Sequence, residues 1–144
     1  MKYARIVVNL VFLVLDVMNI KIPVSSHVKS GAIQEVGKFL WMHPVARMAI
    51  KTFIVAFKNA WRKHNPCEMA TSILKLIKDL QAAGLLWMIF ESVLSGMNKL
   101  QWLKFIAQVS ANLTVMLYTG GWAFGAQIAG VLFSAQSLID LILS

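Results

Sequence analysis

The chain has 144 residues, of which 58% are hydrophobic and 14% charged, and its 14 Lys and Arg outnumber 6 Asp and Glu to leave a formal net charge of +8. That is one domain's worth of chain with more apolar content than the roughly 45–50% of ordinary globular proteins, and its cationic surplus calls for an anionic partner. The single cysteine, Cys67, excludes an intramolecular disulfide and a cysteine-based metal site.

Charge is unevenly placed as well as lopsided. Every Lys and Arg falls within residues 1–104, residues 105–139 carry no charge at all, and Asp140 is the only charged residue beyond them. Lipid headgroups and nucleic acid both suit a basic chain, but only a bilayer also accounts for the apolar excess.

The N-terminal stretch MKYARIVVNLVFLVLDVMNIKIPVSS starts with a basic flank and continues as an apolar run to Pro23. Residues 1–22 therefore read as an apolar anchor helix, with a signal peptide or a buried helix as alternatives. Asn9 and Asp16 interrupt the run, and nothing near Ser25 or Ser26 matches a small-x-small cleavage pattern. Residues 23–31, PVSSHVKSG, read as a loop.

Residues 39–83 read as basic amphipathic helices. Pro44 suits the first turn of a helix reaching about Lys63, and Arg47, Lys51, Lys58 and Arg62 fall within about 60° of one another on a 100° wheel. Ile50, Phe53, Phe57 and Trp61 take a different side. A narrow cationic stripe beside a broad aromatic-aliphatic face is the form of a helix lying in a membrane interface; the plain alternative is a bundle helix with a basic solvated face. Arg47 and Lys51 favour lying flat over crossing for the segment 39–57. In NPCE, Asn65 caps the next helix, Pro66 takes its first position and Glu68 stands where a capping-box acid reaches back. Met69, Ile73, Leu76, Ile77 and Leu80 then form an apolar arc opposite Glu68, Thr71, Ser72, Lys75 and Asp79.

From Gly84 to the end, residues 84–144 read as hydrophobic helices. AAGLLWMIFESVLSGM is apolar on nearly every side with Glu91 its only charge, so Glu91 is the candidate buried acid, expected to pair with a Lys, with a place on a conduction path or a water-facing position in a bundle as alternatives. After a connection at 96–99, residues 100–118 and 122–143 are each long enough to span a bilayer. With TGG at 119–121 between them they make a hydrophobic C-terminal helical hairpin over 100–143. Gly121, Gly125 and Ala129 recur every four residues, as do Ala126, Gly130 and Ser134, giving two neighbouring rows of small residues for close helix packing. Trp41, Trp61, Trp87, Trp102 and Trp122 stand mostly at the ends of apolar segments, where indole rings meet the headgroup level.

The stock of reactive groups is thin. His27, His43 and His64 are separated, and HNPC at 64–67 lacks the second ligand pair of a zinc site. A phosphate loop, a nucleophile elbow and an HExxH sequence are all missing. The sequon Asn112-Leu-Thr114 falls inside the hairpin, out of reach of a glycan. No enzyme, cofactor or metal is therefore expected, and a nucleic-acid role would leave the apolar tail unexplained.

The segment LSGMNKLQWLKFIA, residues 94–107, resembles the first homology region of the Bcl-2 family, with Leu94, Gly96, Asn98, Trp102 and Lys104 in the matching roles. It departs from that pattern in the three residues between Asn98 and Trp102. TGGW at 119–122 is similar to the second homology region but follows too soon. The resemblance implies a helical bundle with an insertable hairpin, a logic shared with pore-forming colicin domains, and assigns no site residue.

The expected fold is thus all-α: a helical membrane protein of amphipathic helices with a hydrophobic C-terminal hairpin. Its expected function is that of a small polytopic, non-enzymatic structural or assembly subunit working through helix packing. The expected partners are the lipid bilayer and other membrane helices, in a hetero- or homo-oligomer. The second reading is a membrane-active bundle whose hairpin inserts.

Overall fold

The computed structural model describes residues 2–20, 25–94, 98–118, 127–128, 130–132 and 135–144. Its helices are α1 (Lys2–Val17), α2 (Ser26–Met42), α3 (Pro44–Arg62), α4 (Pro66–Ala82), α5 (Leu85–Val93), α6 (Lys99–Tyr118) and α7 (Gln136–Leu143). Residues 127–128 and 130–132 are also helical, and no strand occurs among the described residues.

The bundle is built around α1. Ala4, Ile6, Val7, Val8, Leu10, Val11, Leu13, Val14 and Leu15 are all buried, and Arg5, Asn9, Phe12 and Asp16, spaced three or four residues apart, form the one narrow side that is exposed or half-buried. So broad an apolar face must be covered by lipid or by protein. Here α2, α3 and α7 pack against it. Residues 2–17 of the segment read as an anchor thus form a bundle helix whose broad apolar face is buried, the arrangement nearest to the third of its three sequence readings. Its two interrupting polar residues are accommodated locally: the Asn9 side-chain amide donates to the Arg5 carbonyl at 2.7 Å, and Asp16 is exposed. The helix ends in a Schellman turn, with Asn19 left-handed (φ 60°) and the Ile20 amide donating to the Leu15 carbonyl at 2.9 Å.

The loop expected at 23–31 is largely helix. Ser25, with extended backbone, accepts the Val28 amide on its hydroxyl oxygen at 3.2 Å and so starts α2 at Ser26. Ala32, Val36 and Leu40 repeat every four residues and are the positions α2 buries. At His43 the chain breaks before Pro44, whose ring disfavours helical backbone in the residue before it. Residues 39–57 are consequently divided between the end of α2 and the greater part of α3.

Helices α3 and α4 form a hairpin. The arc Ile50, Phe53, Ile54 and Phe57 of α3 meets Met69, Ile73, Leu76, Ile77 and Leu80 of α4, all buried. Asn65 caps α4 as expected, accepting the Glu68 amide at 3.2 Å. The carboxylate of Glu68 does not close a capping box. It pairs instead with Lys63 at 3.7 Å, because the Asn65 amide it would have reached already donates to the Ala60 carbonyl at 3.0 Å. Ser72, expected on the polar side, is buried, and its hydroxyl donates to the Met69 carbonyl at 2.6 Å. Gly84, at φ 77°, takes the left-handed conformation that separates α4 from α5.

Helix α5 buries Leu85, Leu86, Ile89 and Phe90 and packs on α2 and α4. Helix α6 opens with a reciprocal cap: the Gln101 amide donates to the Asn98 side chain at 2.8 Å, while the Asn98 amide donates to the Gln101 side chain at 3.2 Å. It joins the core through Phe105, set edge-on to Phe90 at 5.2 Å between ring centres, and through Val109. Among the described residues no helix is long and apolar enough to cross a membrane. At 16 residues α1 is short of the ~20 a bilayer core requires. Helix α6 has 20 residues, but Lys99, Gln101, Lys104, Gln108 and Asn112 dilute it. The second arm of the expected hairpin, 122–143, is not one continuous helix either: Ala135 has non-helical backbone (φ −99°, ψ 55°), and α7 begins after it to pack on α1 and α3. The turn at 119–121 lies outside the described residues.

Candidate functional site

The feature that a water-soluble core does not explain is the corner where α2 meets α3. Trp41 is 79% exposed, Met42 75%, Val45 81% and Met48 65%, four large apolar side chains within eight positions. Scattered exposed apolar residues are ordinary, but a contiguous group marks a contact surface. The corner is held rather than loose. The His43 ring stacks on Phe39 with centroids 3.8 Å apart and planes 8° apart, its Nδ1–H donates to the Phe39 carbonyl at 2.9 Å, and Pro44 starts α3 directly afterwards.

The cationic stripe expected on α3 flanks this patch. Lys51 and Arg62 are exposed, Arg47 and Lys58 half-buried. No acid occurs on α3, and the ion pairs among the described residues, Lys38–Glu35 and Lys63–Glu68, involve none of the four. Around the helix, Val45, Met48 and Val55 lie on the outer side next to the stripe. The aromatic-aliphatic face expected to meet lipid is elsewhere: Ile50, Phe53 and Phe57 are buried against α4, and Trp61 is half-buried. The aromatic side of α3 is thus its bundle-facing side, as in the plain alternative of a bundle helix with a basic solvated face. The signal for the exposed row was the i, i+3 pair Val45 and Met48 on the side of α3 away from Phe53 and Phe57.

Beside the patch an open cavity of about 380 Å³ lies between the start of α1, the end of α2 and the first turn of α3. Lys2, Tyr3, Gly37, Leu40, Trp41 and Arg47 are among its lining residues, and no acidic side chain is among the described residues that line it. The Lys2 ammonium is already engaged there, donating a hydrogen bond to the main-chain oxygen of Ser144, the last residue of the sequence, at 2.8 Å.

The other sequence candidates do not converge here. Glu91, read as a buried acid, stands exposed, because Leu85, Leu86, Ile89 and Phe90 form the inner arc of α5 and position 91 falls opposite it. His43 and His64 bracket the 19-residue α3, which holds them roughly 30 Å apart at 1.5 Å per residue. Of the small-residue rows, Gly121, Gly125, Ala126, Ala129 and Ser134 lie outside the described residues, and Gly130 is exposed. Trp87 and Trp102 are half-buried against the core, Trp102 stacking on Phe105, whereas Trp122 lies outside the described residues. In the segment likened to the first Bcl-2 homology region, Asn98 and Trp102 serve as helix cap and core-edge aromatic.

Fold and surface together define a class: an all-α bundle packed on the broad apolar face of its N-terminal helix, with an exposed apolar corner flanked by cations that form no ion pair among the described residues. No protein family, curated protein or solved structure matches the chain.

Proposed function

We propose that the protein is a non-enzymatic, membrane-active helical bundle that binds an anionic bilayer surface through the α2–α3 corner. The observation that carries this reading is the adjacency of Trp41, Met42, Val45 and Met48 to Arg47 and Lys51, all at one corner. Interfacial binding needs both components: apolar side chains that enter the headgroup region, and cations drawn by the negative surface, each contributing about 1 kcal/mol. Lys and Arg stems on α3 reach headgroups while Val45 and Met48 enter below them. In this reading the fold keeps the broad apolar face of α1 away from water, and the bilayer takes the place of solvent at the corner only.

Vesicle flotation tests it. The protein should float with phosphatidylcholine vesicles containing phosphatidylserine and stay below with phosphatidylcholine alone. Trp41→Ser with Met48→Ser should weaken binding about tenfold, equivalent to ~1.4 kcal/mol. Equal partition to neutral and anionic vesicles, or an unchanged affinity in the double variant, would sink the proposal.

A second reading, assembly through helix packing with another chain, draws on Leu100 and Leu103 of α6, which are 63% and 54% exposed and one turn apart. A concentration-dependent mass increase in sedimentation, abolished by Leu100→Ser with Leu103→Ser, would favour it.

A further inference from the structure

We propose that His43 is an acid-operated switch on the membrane-docking corner, its protonation raising the affinity for an anionic bilayer. The proposal rests on the membrane-binding reading for the surface that is regulated, and on the setting of the His43 ring for the regulation. His43 is exposed and stands at the break between α2 and α3, with Trp41 and Met42 before it in sequence and Val45 and Met48 after it. The apolar group that enters the headgroup region thus has a titratable residue in its midst, and histidine is the side chain whose charge ordinarily changes between pH 5 and 8.

Two contacts hold the ring and decide which nitrogen titrates. A carbonyl oxygen only accepts, so the 2.9 Å bond to Phe39 keeps the neutral ring in its Nδ1–H tautomer. Nε2 takes the second proton, and it has no hydrogen-bond partner among the described residues. Because Nδ1–H donates in both charge states, protonation keeps the corner's geometry and changes its charge. The stack on Phe39, with ring centroids 3.8 Å apart, suits the charged form too, since an aromatic face attracts a cation.

The surrounding charges tie that proton to the bilayer. None of the chain's 6 acids pairs with His43: Glu35 of α2 pairs with Lys38, Glu68 of α4 with Lys63, and Asp140 of α7 accepts from Gln136. Asp16 of α1, Asp79 of α4 and Glu91 of α5 are exposed and form no ion pair. Arg47, by contrast, follows one turn later, its amide donating to the His43 carbonyl oxygen at 3.3 Å, and Lys2 of α1, bonded to Ser144, lines the cavity that Trp41 and Arg47 share. An imidazolium at position 43 therefore joins a cationic corner with no acid paired to it, and anionic headgroups supply the balancing charge on docking. Linkage is reciprocal, so a bilayer that favours the proton is favoured by it. Affinity is lowest while the ring is neutral and rises as pH falls through the histidine range.

Co-sedimentation at fixed ionic strength tests this, with phosphatidylcholine vesicles containing phosphatidylglycerol, whose phosphodiester charge is constant over that range. Binding should tighten about fivefold from about pH 7.5 to about pH 5.5, the effect of one added cation near a negative surface. His43→Asn keeps a side-chain N–H for the Phe39 carbonyl and cannot charge, so at both pH values it should bind as the wild type does at the higher one. His43→Arg, charged throughout, should bind at both as the wild type does at the lower one, and it decides the matter if His43→Asn loses its helical circular dichroism. His27→Gln with His64→Gln should keep the full response, since His27 lies in the first turn of α2 and His64 beyond the end of α3. Equal wild-type binding at the two pH values, an acid gain that persists in His43→Asn or is lost with His27 and His64, or an equal gain on pure phosphatidylcholine overturns the switch and leaves the surface reading to its own test. Failure of both the wild type and His43→Arg to bind the anionic vesicles at either pH overturns the surface reading and the switch with it.

Discussion

His64 adopts φ 52°, a conformation that costs a residue with a Cβ about 1 kcal/mol or more and costs glycine little. It does so because α3 ends in a Schellman turn in which the Asn65 amide donates back to the Ala60 carbonyl at 3.0 Å. His64→Gly should therefore stabilise the fold by about 0.5–1 kcal/mol, read as a higher urea midpoint at unchanged slope. A loss of stability would mean that the ring makes an interaction of its own. Glu91 offers the converse. Being exposed on α5, it should tolerate Glu91→Gln within about 0.5 kcal/mol, whereas an acid paired in the interior would lose several when neutralised. Of the readings open for Glu91 the water-facing one matches, because sorting the residues of α5 by angle places 85, 86, 89 and 90 together and 91 across from them.

At the scale of elements, the α3–α4 hairpin supplies the firmest part of the core. Phe57 is fully buried and its ring lies 5.7 Å from that of Phe53, facing an α4 arc of equally buried aliphatic residues. Phe57→Ala should cost about 3–5 kcal/mol, enough to consume much of the stability of a domain this size, and denaturation should show it as a large midpoint drop. The boundaries of this hairpin were legible because local chemistry sets them: Pro44, Asn65 and Pro66 act on the backbone within a turn of their own position. The start of α2 was missed because Pro23, Ser25 and Ser26 read as turn residues. Serine serves equally as a helix cap, and the choice depends on the Ala32, Val36 and Leu40 positions downstream. The pair Asn98 and Gln101 was a cap signal of the same kind.

For the whole molecule, the cations of α3 form a surface with no compensating acid on that helix, and the rest of the chain adds to the surplus. Long-range attraction to a negative surface falls as the Debye length shrinks from about 10 Å at 0.1 M salt to about 3 Å at 1 M. Partition onto phosphatidylserine vesicles should accordingly drop steeply with added salt, and Lys51→Gln with Arg62→Gln should flatten that dependence. Trp41→Ser should instead shift affinity at every salt concentration and leave the slope alone. Co-sedimentation over a salt series separates the two; identical slopes in all variants would remove the electrostatic half of the argument.

The bounds and amphipathic arcs of α3 and α4, the cationic stripe and the excess of apolar residues followed from residue order, because periodicity and capping act over a few positions. What covers the broad apolar face of α1 did not follow. Lipid and protein interior both remove that face from water, and a linear pattern records only that it must be removed. The packing of α2, α3 and α7 around it decided the matter, turned Phe53 and Phe57 inward, and left Trp41, Met42, Val45 and Met48 outside beside Arg47.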